Sequence, residues 1–146
     1  MRSGSTPPAT DIVTLTVADG FGATDSVNFV FNEAGTGSNI LLQGTPGNDV
    51  IFATGNQDTL TGGGGHDQFV FKPTSSGPAV EHTITDFAVN LDTIDVRLFS
   101  NISASALPLE TQQGSDTLIT LDSHDTILLK NVLASSLTTS DFIVHA

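Results

Sequence analysis

Aspartate recurs every nine residues, at Asp49, Asp58 and Asp67, and each is followed two places later by a large apolar side chain, Ile51, Leu60 or Phe69. The three units are Gly44-Thr45-Pro46-Gly47-Asn48-Asp49-Val50-Ile51-Phe52, Ala53-Thr54-Gly55-Asn56-Gln57-Asp58-Thr59-Leu60-Thr61 and Gly62-Gly63-Gly64-Gly65-His66-Asp67-Gln68-Phe69-Val70. Glycines such as Gly44, Gly47, Gly63 and Gly65 permit the left-handed backbone that tight turns need and leave carbonyl oxygens exposed. An aspartate closing such a turn adds a charged oxygen. Carbonyls and carboxylates together make the all-oxygen shell that Ca²⁺ prefers.

Such a site needs a scaffold that stacks turns. Within each unit three residues can form a short strand whose middle side chain points into a thin core, and six can reverse the chain. A unit is then half a coil, so the first and third turns share an edge, and Asp49 and Asp67 bracket one complete site. The expected structure over residues 40–72 is a short right-handed parallel β-roll with Ile51, Leu60 and Phe69 inside. The second unit is degenerate, with Ala53, Thr54 and Asn56 at positions where glycine is usual, so Asp58 needs a partner from beyond the repeats.

Charge and composition narrow the function classes. Sixteen acids face four basic residues, a formal net charge of −12, which excludes the basic patches that nucleic acid and anionic membranes require. Thirteen of the acids are Asp and three are Glu, a bias toward the shorter carboxylate suited to turns and cation ligation. Cysteine is absent, so neither disulfides nor thiolate metal sites can form. No apolar run approaches the roughly 20 residues of a membrane span. Gly62 to Gly65 lacks the Lys-Ser/Thr of a phosphate loop. The four histidines are scattered and no H-E-x-x-H motif is present, so no catalytic residue is assigned and the chain is read as a non-enzyme.

The three units resemble the G-G-x-G-x-D-x-U-x nonapeptide of RTX proteins. The resemblance extends downstream through Gln68-Phe69-Val70-Phe71, Thr83-Ile84-Thr85-Asp86-Phe87 and Leu91-Asp92-Thr93-Ile94-Asp95-Val96. These are similar to the D-x-I-x-D-F … D-x-I-D-L pattern that follows the β-roll in serralysin-like carboxy-terminal domains, although Glu81-His82 departs from it. Asp86 matches an aspartate that caps a calcium site in that family, which makes Asp58 with Asp86 a second candidate pair. Asp92, Asp95, Asp122 and Asp125 read as turn and strand-end residues. Residues 116–121 and 126–132 resemble the closing hairpin of those domains. The resemblance covers residues 40 to about 144. It implies an all-β fold in which the parallel β-roll continues into an antiparallel, sandwich-like part. It also implies calcium as cofactor, type I secretion machinery as partner, and a secreted, extracellular location. Asp141-Phe142-Ile143-Val144 resembles the acid-plus-hydrophobic ending of serralysin-type export signals, with His145-Ala146 added.

Upstream, residues 1–10 read as a tag or linker. Residues 11–32 read as a β-hairpin turning at Ala18–Gly22; a lone hairpin is barely stable in water, so it either packs on the rest of the chain or forms the last two strands of an upstream domain, and it resembles the end of a cadherin-like or immunoglobulin-like repeat. Residues 33–39 read as a polar linker, and 40–146 as the calcium-binding and secretion domain. Further strands are expected at 82–87, 93–96, 117–121 and 126–130, with a hairpin turn at Asp122–Asp125, one helical turn at 133–140 and a final short strand at 141–144. The leading functional expectation is a module that folds on calcium outside the cell and carries an export signal. The alternative is an accessory or adhesin module that binds a surface or an extracellular polysaccharide, which the absence of Trp and Tyr disfavours.

Overall fold

The computed structural model describes residues 11–31, 40–74 and 77–145. The expected tag at 1–10 and linker at 33–39 lie outside the described residues. Twelve strands are present among the described ones: β1 (Asp11–Ala18), β2 (Thr24–Phe31), β3 (Ile40–Gln43), β4 (Asp49–Phe52), β5 (Asp58–Thr61), β6 (Gln68–Val70), β7 (Val80–Ile84), β8 (Thr93–Asp95), β9 (Leu109–Gln113), β10 (Asp116–Thr120), β11 (Asp125–Leu129) and β12 (Phe142–Ile143). They form two six-stranded sheets, ordered β1-β2-β4-β6-β8-β12 and β3-β5-β7-β11-β10-β9.

From β3 to β8 the chain alternates between the sheets at every strand. Each strand therefore pairs in parallel with the one two places later, β3 with β5, β4 with β6, β5 with β7 and β6 with β8. This is the coil that the nine-residue period demands. The register brings equivalent residues together: Val30, Ile51, Phe69, Ile94 and Phe142 run across one sheet. Leu42, Leu60, Ile84 and Leu129 run across the other. Ile51, Leu60 and Phe69 are each 0% exposed, as their shared place in the repeat predicts. Side chains at alternate strand positions point to opposite faces, so a three-residue strand delivers one side chain to the core, and the ladder of such residues is the core.

The ends of the roll are antiparallel. β9, β10 and β11 form a meander, and β11 joins β7 in parallel, which ties the closing hairpin to the coil. β2 of the hairpin β1–β2 pairs in parallel with β4 and prolongs the first sheet. The region expected as one helical turn at 133–140 is two 3₁₀ turns, Ala134–Ser136 and Thr139–Asp141, and the last strand is shorter than expected because Asp141 belongs to the second turn. There the Asp141 carboxylate accepts hydrogen bonds from the Thr138 N–H (2.7 Å) and hydroxyl (2.8 Å). β9 has no counterpart in the sequence reading. Its Leu-Glu-Thr-Gln-Gln segment is almost wholly exposed and so has no apolar alternation to reveal it.

Candidate metal centre

Three connections run from the second sheet to the first and so emerge on one edge of the roll: 44–48, 62–67 and 85–92. The connection 53–57 and the described residues between β6 and β7 run the other way and lie on the opposite edge.

On the first edge the turns 44–48 and 62–67 are in backbone contact. A β-carbon added at Gly63 would lie 2.2 Å from the Thr45 carbonyl oxygen, and one at Gly44 would lie 2.2 Å from the Gly62 carbonyl oxygen. At Gly65 it would meet the Asn48 side-chain oxygen at 2.7 Å and the Gly47 carbonyl oxygen at 2.9 Å. Gly63 and Gly65 also hold φ near +100°, a conformation that L side chains rarely adopt. The repeat needs glycine here for both reasons. Gly47 sits at the tip of its turn and donates its N–H to the Thr45 hydroxyl (3.1 Å).

Asp49 and Asp67 are 1% and 3% exposed and directly linked, the Asp49 N–H donating to Asp67 Oδ1 at 3.0 Å. The turns are further stitched by Gly64 N–H to the Thr45 carbonyl (3.2 Å) and His66 N–H to Asn48 Oδ1 (2.8 Å). Asp49 receives the Thr45 N–H (2.7 Å) and hydroxyl (3.1 Å). Asp67 has no such threonine, because Gly63 stands at the corresponding position of its unit.

Asp86, on the β7–β8 connection, accepts from the Gly62 N–H (2.9 Å) and the Gly63 N–H (2.8 Å), so it joins this same edge. Asp92 follows it, 4% exposed, and accepts from the Asp67 N–H (3.0 Å) and the Ala88 N–H (2.8 Å). Considering the protein groups by themselves, burial pushes the Asp67 carboxyl up to about 7, against the pull of the Asp49 N–H, with the charges of Asp92, Asp49 and Asp86 adding to the rise. Burial also raises Asp92.

The expected pairing of Asp58 with Asp86 is not what the topology makes. Asp58 opens β5 after an outbound connection, whereas Asp86 lies on a return one, so they fall on opposite edges. Sequence reasoning also placed Asp92 among ordinary turn residues, although a signal was available: Asp92-Thr93-Ile94 repeats the Asp-x-apolar triplets of Asp49-Val50-Ile51 and Asp67-Gln68-Phe69. The 25-residue gap from Asp67 hid it. Asp122 does act as a turn residue, accepting from the His124 and Asp125 N–H groups. Asp95 holds Arg97 at 2.7 Å.

The donor set fits calcium. It is composed of oxygen, it contains two buried aspartates in contact, and carbonyls of one turn face the backbone of the next. Among the described residues no three His, Cys, Asp or Glu side chains converge on a point, and the oxygens where the two turns meet include the backbone carbonyls of Thr45, Gly47 and Gly62. That division suits a large cation of flexible coordination better than one demanding a tight octahedron.

The family comparison agrees. Residues 33–69 match the family model described as the RTX calcium-binding nonapeptide repeat (4 copies). No curated protein matches the chain. Among solved structures it is similar to the extracellular lipase LipA of Serratia marcescens, at 15% identity and a TM-score of 0.49, over 92% of this chain and 26% of that one. It is also similar to the AlgE6R3 subunit of the Azotobacter vinelandii mannuronan C5-epimerase, at 19% identity and a TM-score of 0.37, over 74% of this chain and 80% of that one. The chain thus spans about a quarter of the length of the lipase.

Proposed function

We propose, from the premise that the chain carries RTX calcium-binding nonapeptide repeats, that it is a calcium-responsive folding module. Asp49 and Asp67 supply the charged ligands, with Asp86 closing the adjoining turn. The observation that carries this reading is the stack of turns 44–48 and 62–67, where buried carboxylates and carbonyls meet. Bound calcium would supply two positive charges at a place where the protein alone gathers negative ones. Ordering glycine-rich turns is entropically expensive, and four carboxylates on one edge repel one another. Binding that requires the folded turns adds its free energy to folding.

Far-UV circular dichroism is the suitable probe, because no Trp or Tyr is present for fluorescence. The expected result is loss of the β signal in excess chelator, its recovery with calcium at about 10⁻⁴–10⁻³ M, and poor recovery with magnesium. A full β spectrum in chelator, unaltered by calcium, would refute the reading.

The finer reading is that this module folds after export. A chain that stays open where calcium is scarce suits passage through a type I channel, and one that folds on reaching millimolar calcium suits an extracellular destination. The acid-plus-hydrophobic segment Asp141-Phe142-Ile143-Val144 is the feature that supports an export signal. Among the described residues no helix is long and apolar enough to cross a membrane. Deleting residues 135–146 from a reporter fusion is expected to stop type I export, and undiminished export would count against this assignment. Nothing in the reading calls on a catalytic residue of this chain.

A further inference from the structure

We infer that Asp141, just before the last strand, is a positioning residue of the calcium edge, acting through the turn 88–92 on Asp92 and Asp67. This rests on the calcium reading above and extends it beyond the repeats.

The carboxylates of that edge form a ladder from coil to coil. Asp67 accepts the Asp49 N–H and Asp92 accepts the Asp67 N–H, each at 3.0 Å. The next rung must come from beside β12, which follows β8 in the same sheet. It is Asp141, and it accepts the Asn90 N–H at 2.6 Å. The contact falls two residues short of Asp92, at the tip of the turn 88–92 instead of its end.

That turn is held at its base and at its tip. At the base Asp92 accepts the Ala88 N–H (2.8 Å), and the Asp92 and Leu91 N–H groups donate to the Ala88 carbonyl (2.9 and 3.1 Å). At the tip Asn90 has a φ of +64°, a left-handed conformation unfavourable for a residue with a side chain. Asp141 fixes the N–H of that residue. The His66 ring nitrogen Nδ1 lies 3.2 Å from the Leu91 carbonyl oxygen, so the same turn also meets the one that carries Asp67. Releasing the tip would loosen the Asp92 carboxylate and its hold on the Asp67 N–H.

Asp141 itself is firmly seated. It is 0% exposed, and its remaining contacts, the Thr138 N–H and hydroxyl, lie within its own 3₁₀ turn. Phe142 beside it is buried and pairs with Ile94, and the Val96 N–H donates to the Ile143 carbonyl (3.0 Å). Among the described residues no Lys, Arg or His pairs with Asp141. A buried carboxylate without a cation is costly, and charge-assisted hydrogen bonds offset that cost. One buried anion thus joins two donors of the carboxy-terminal turn to one donor of the calcium edge.

Calcium titration of the full chain, followed by far-UV circular dichroism, tests this in a double-mutant cycle with Asp92→Asn. Asp141→Ala should raise the calcium midpoint by about tenfold, within the usual range of coupling between sites. In the Asp92→Asn background the same substitution should change the midpoint by less than about twofold, because the path to Asp67 is already cut. A merely structural loss in the carboxy-terminal turn would act equally in both backgrounds, so equal factors would overturn the inference. An unchanged midpoint for Asp141→Ala alone would overturn it too. If Asp141→Ala does not fold at any calcium concentration, hydrogen exchange on the unaltered chain decides. Coupling is reciprocal, so calcium must tighten the Asn90 contact as that contact tightens calcium. The Asn90 and Asp67 amides should then gain protection at one common calcium midpoint, and Asn90 protection indifferent to calcium would sink the proposal. Failure of the unaltered chain to bind calcium would remove the calcium reading and this inference with it. Normal binding by the unaltered chain, with equal factors in the cycle, would remove the inference alone.

Discussion

Asp67→Ala is expected to abolish the calcium-induced gain of β structure at millimolar calcium, weakening apparent affinity by well over tenfold, a loss of more than about 1.4 kcal/mol. Asp67 links the edge in both directions. Its carboxylate receives the Asp49 N–H, and its own N–H reaches the Asp92 carboxylate. It also lacks the threonine that Asp49 has, so its charge finds less support from the protein and more from a cation. Asp49→Ala should weaken the response in the same direction but less, since Thr45 holds only that one carboxylate in place. Gly63→Ala should reproduce much of the Asp67 defect with every carboxylate intact, because its β-carbon would collide with the Thr45 carbonyl oxygen and its φ is +102°. Asp122→Ala, which alters a hairpin turn on the closing meander, should leave the calcium midpoint unchanged. Calcium titrations followed by far-UV circular dichroism read all four. A normal midpoint for Asp67→Ala would remove this residue from the site.

Acidification should release calcium while favouring the compact calcium-free chain, two opposite trends over one pH window. Burial pushes the Asp67 carboxyl to about 7 from an ordinary value of 3.8. Folding of the protein by itself thus favours the protonated acid. The resulting stability is fully present below the unfolded-chain value and is lost as pH rises through about 7. Calcium binds the ionised form, so below about pH 7 each ion bound must displace a proton. The apparent affinity should then fall by about tenfold per pH unit for one linked proton. Asp92, raised by burial as well, acts in the same direction. Calcium titrations at several pH values between about 5 and 8 should show this slope, and Asp67→Asn should flatten it. Equal affinity across that window would mean that Asp67 is ionised regardless of burial, or is not a ligand.

Much of this protein was legible as spacing. A nine-residue period with an apolar residue at one fixed place can be satisfied by stacked half-coils, and Ile51, Leu60 and Phe69 line up in the core as that period requires. The same period put Asp49 and Asp67 on one edge, because turns two units apart must share a side. Glycine positions announced turns, and the choice of aspartate over glutamate announced oxygen ligation close to the backbone.

What lay beyond the period depended on tertiary structure. The route from β6 to β8 is long and irregular, so no count of residues could show that Asp86 and Asp92 return to the edge of Asp67 and that Asp58 does not. The fate of β2 was left open between packing on the roll and belonging to an upstream domain. Its alternation predicted a hairpin, but pairing with β4 is a hydrogen-bond choice made between strands and leaves no pattern in either one. The surroundings of the repeat aspartates arose the same way. Asp49, Asp58, Asp67 and Asp125 are chemically identical in sequence. What each carboxylate meets follows from which groups the fold brings beside it, and for Asp125 the Thr74 hydroxyl comes from 51 residues away. Sequence determined the repeat and the kind of ligand, because both are local and periodic. Charge compensation was decided by the fold, because it depends on which distant groups are brought within a few ångströms.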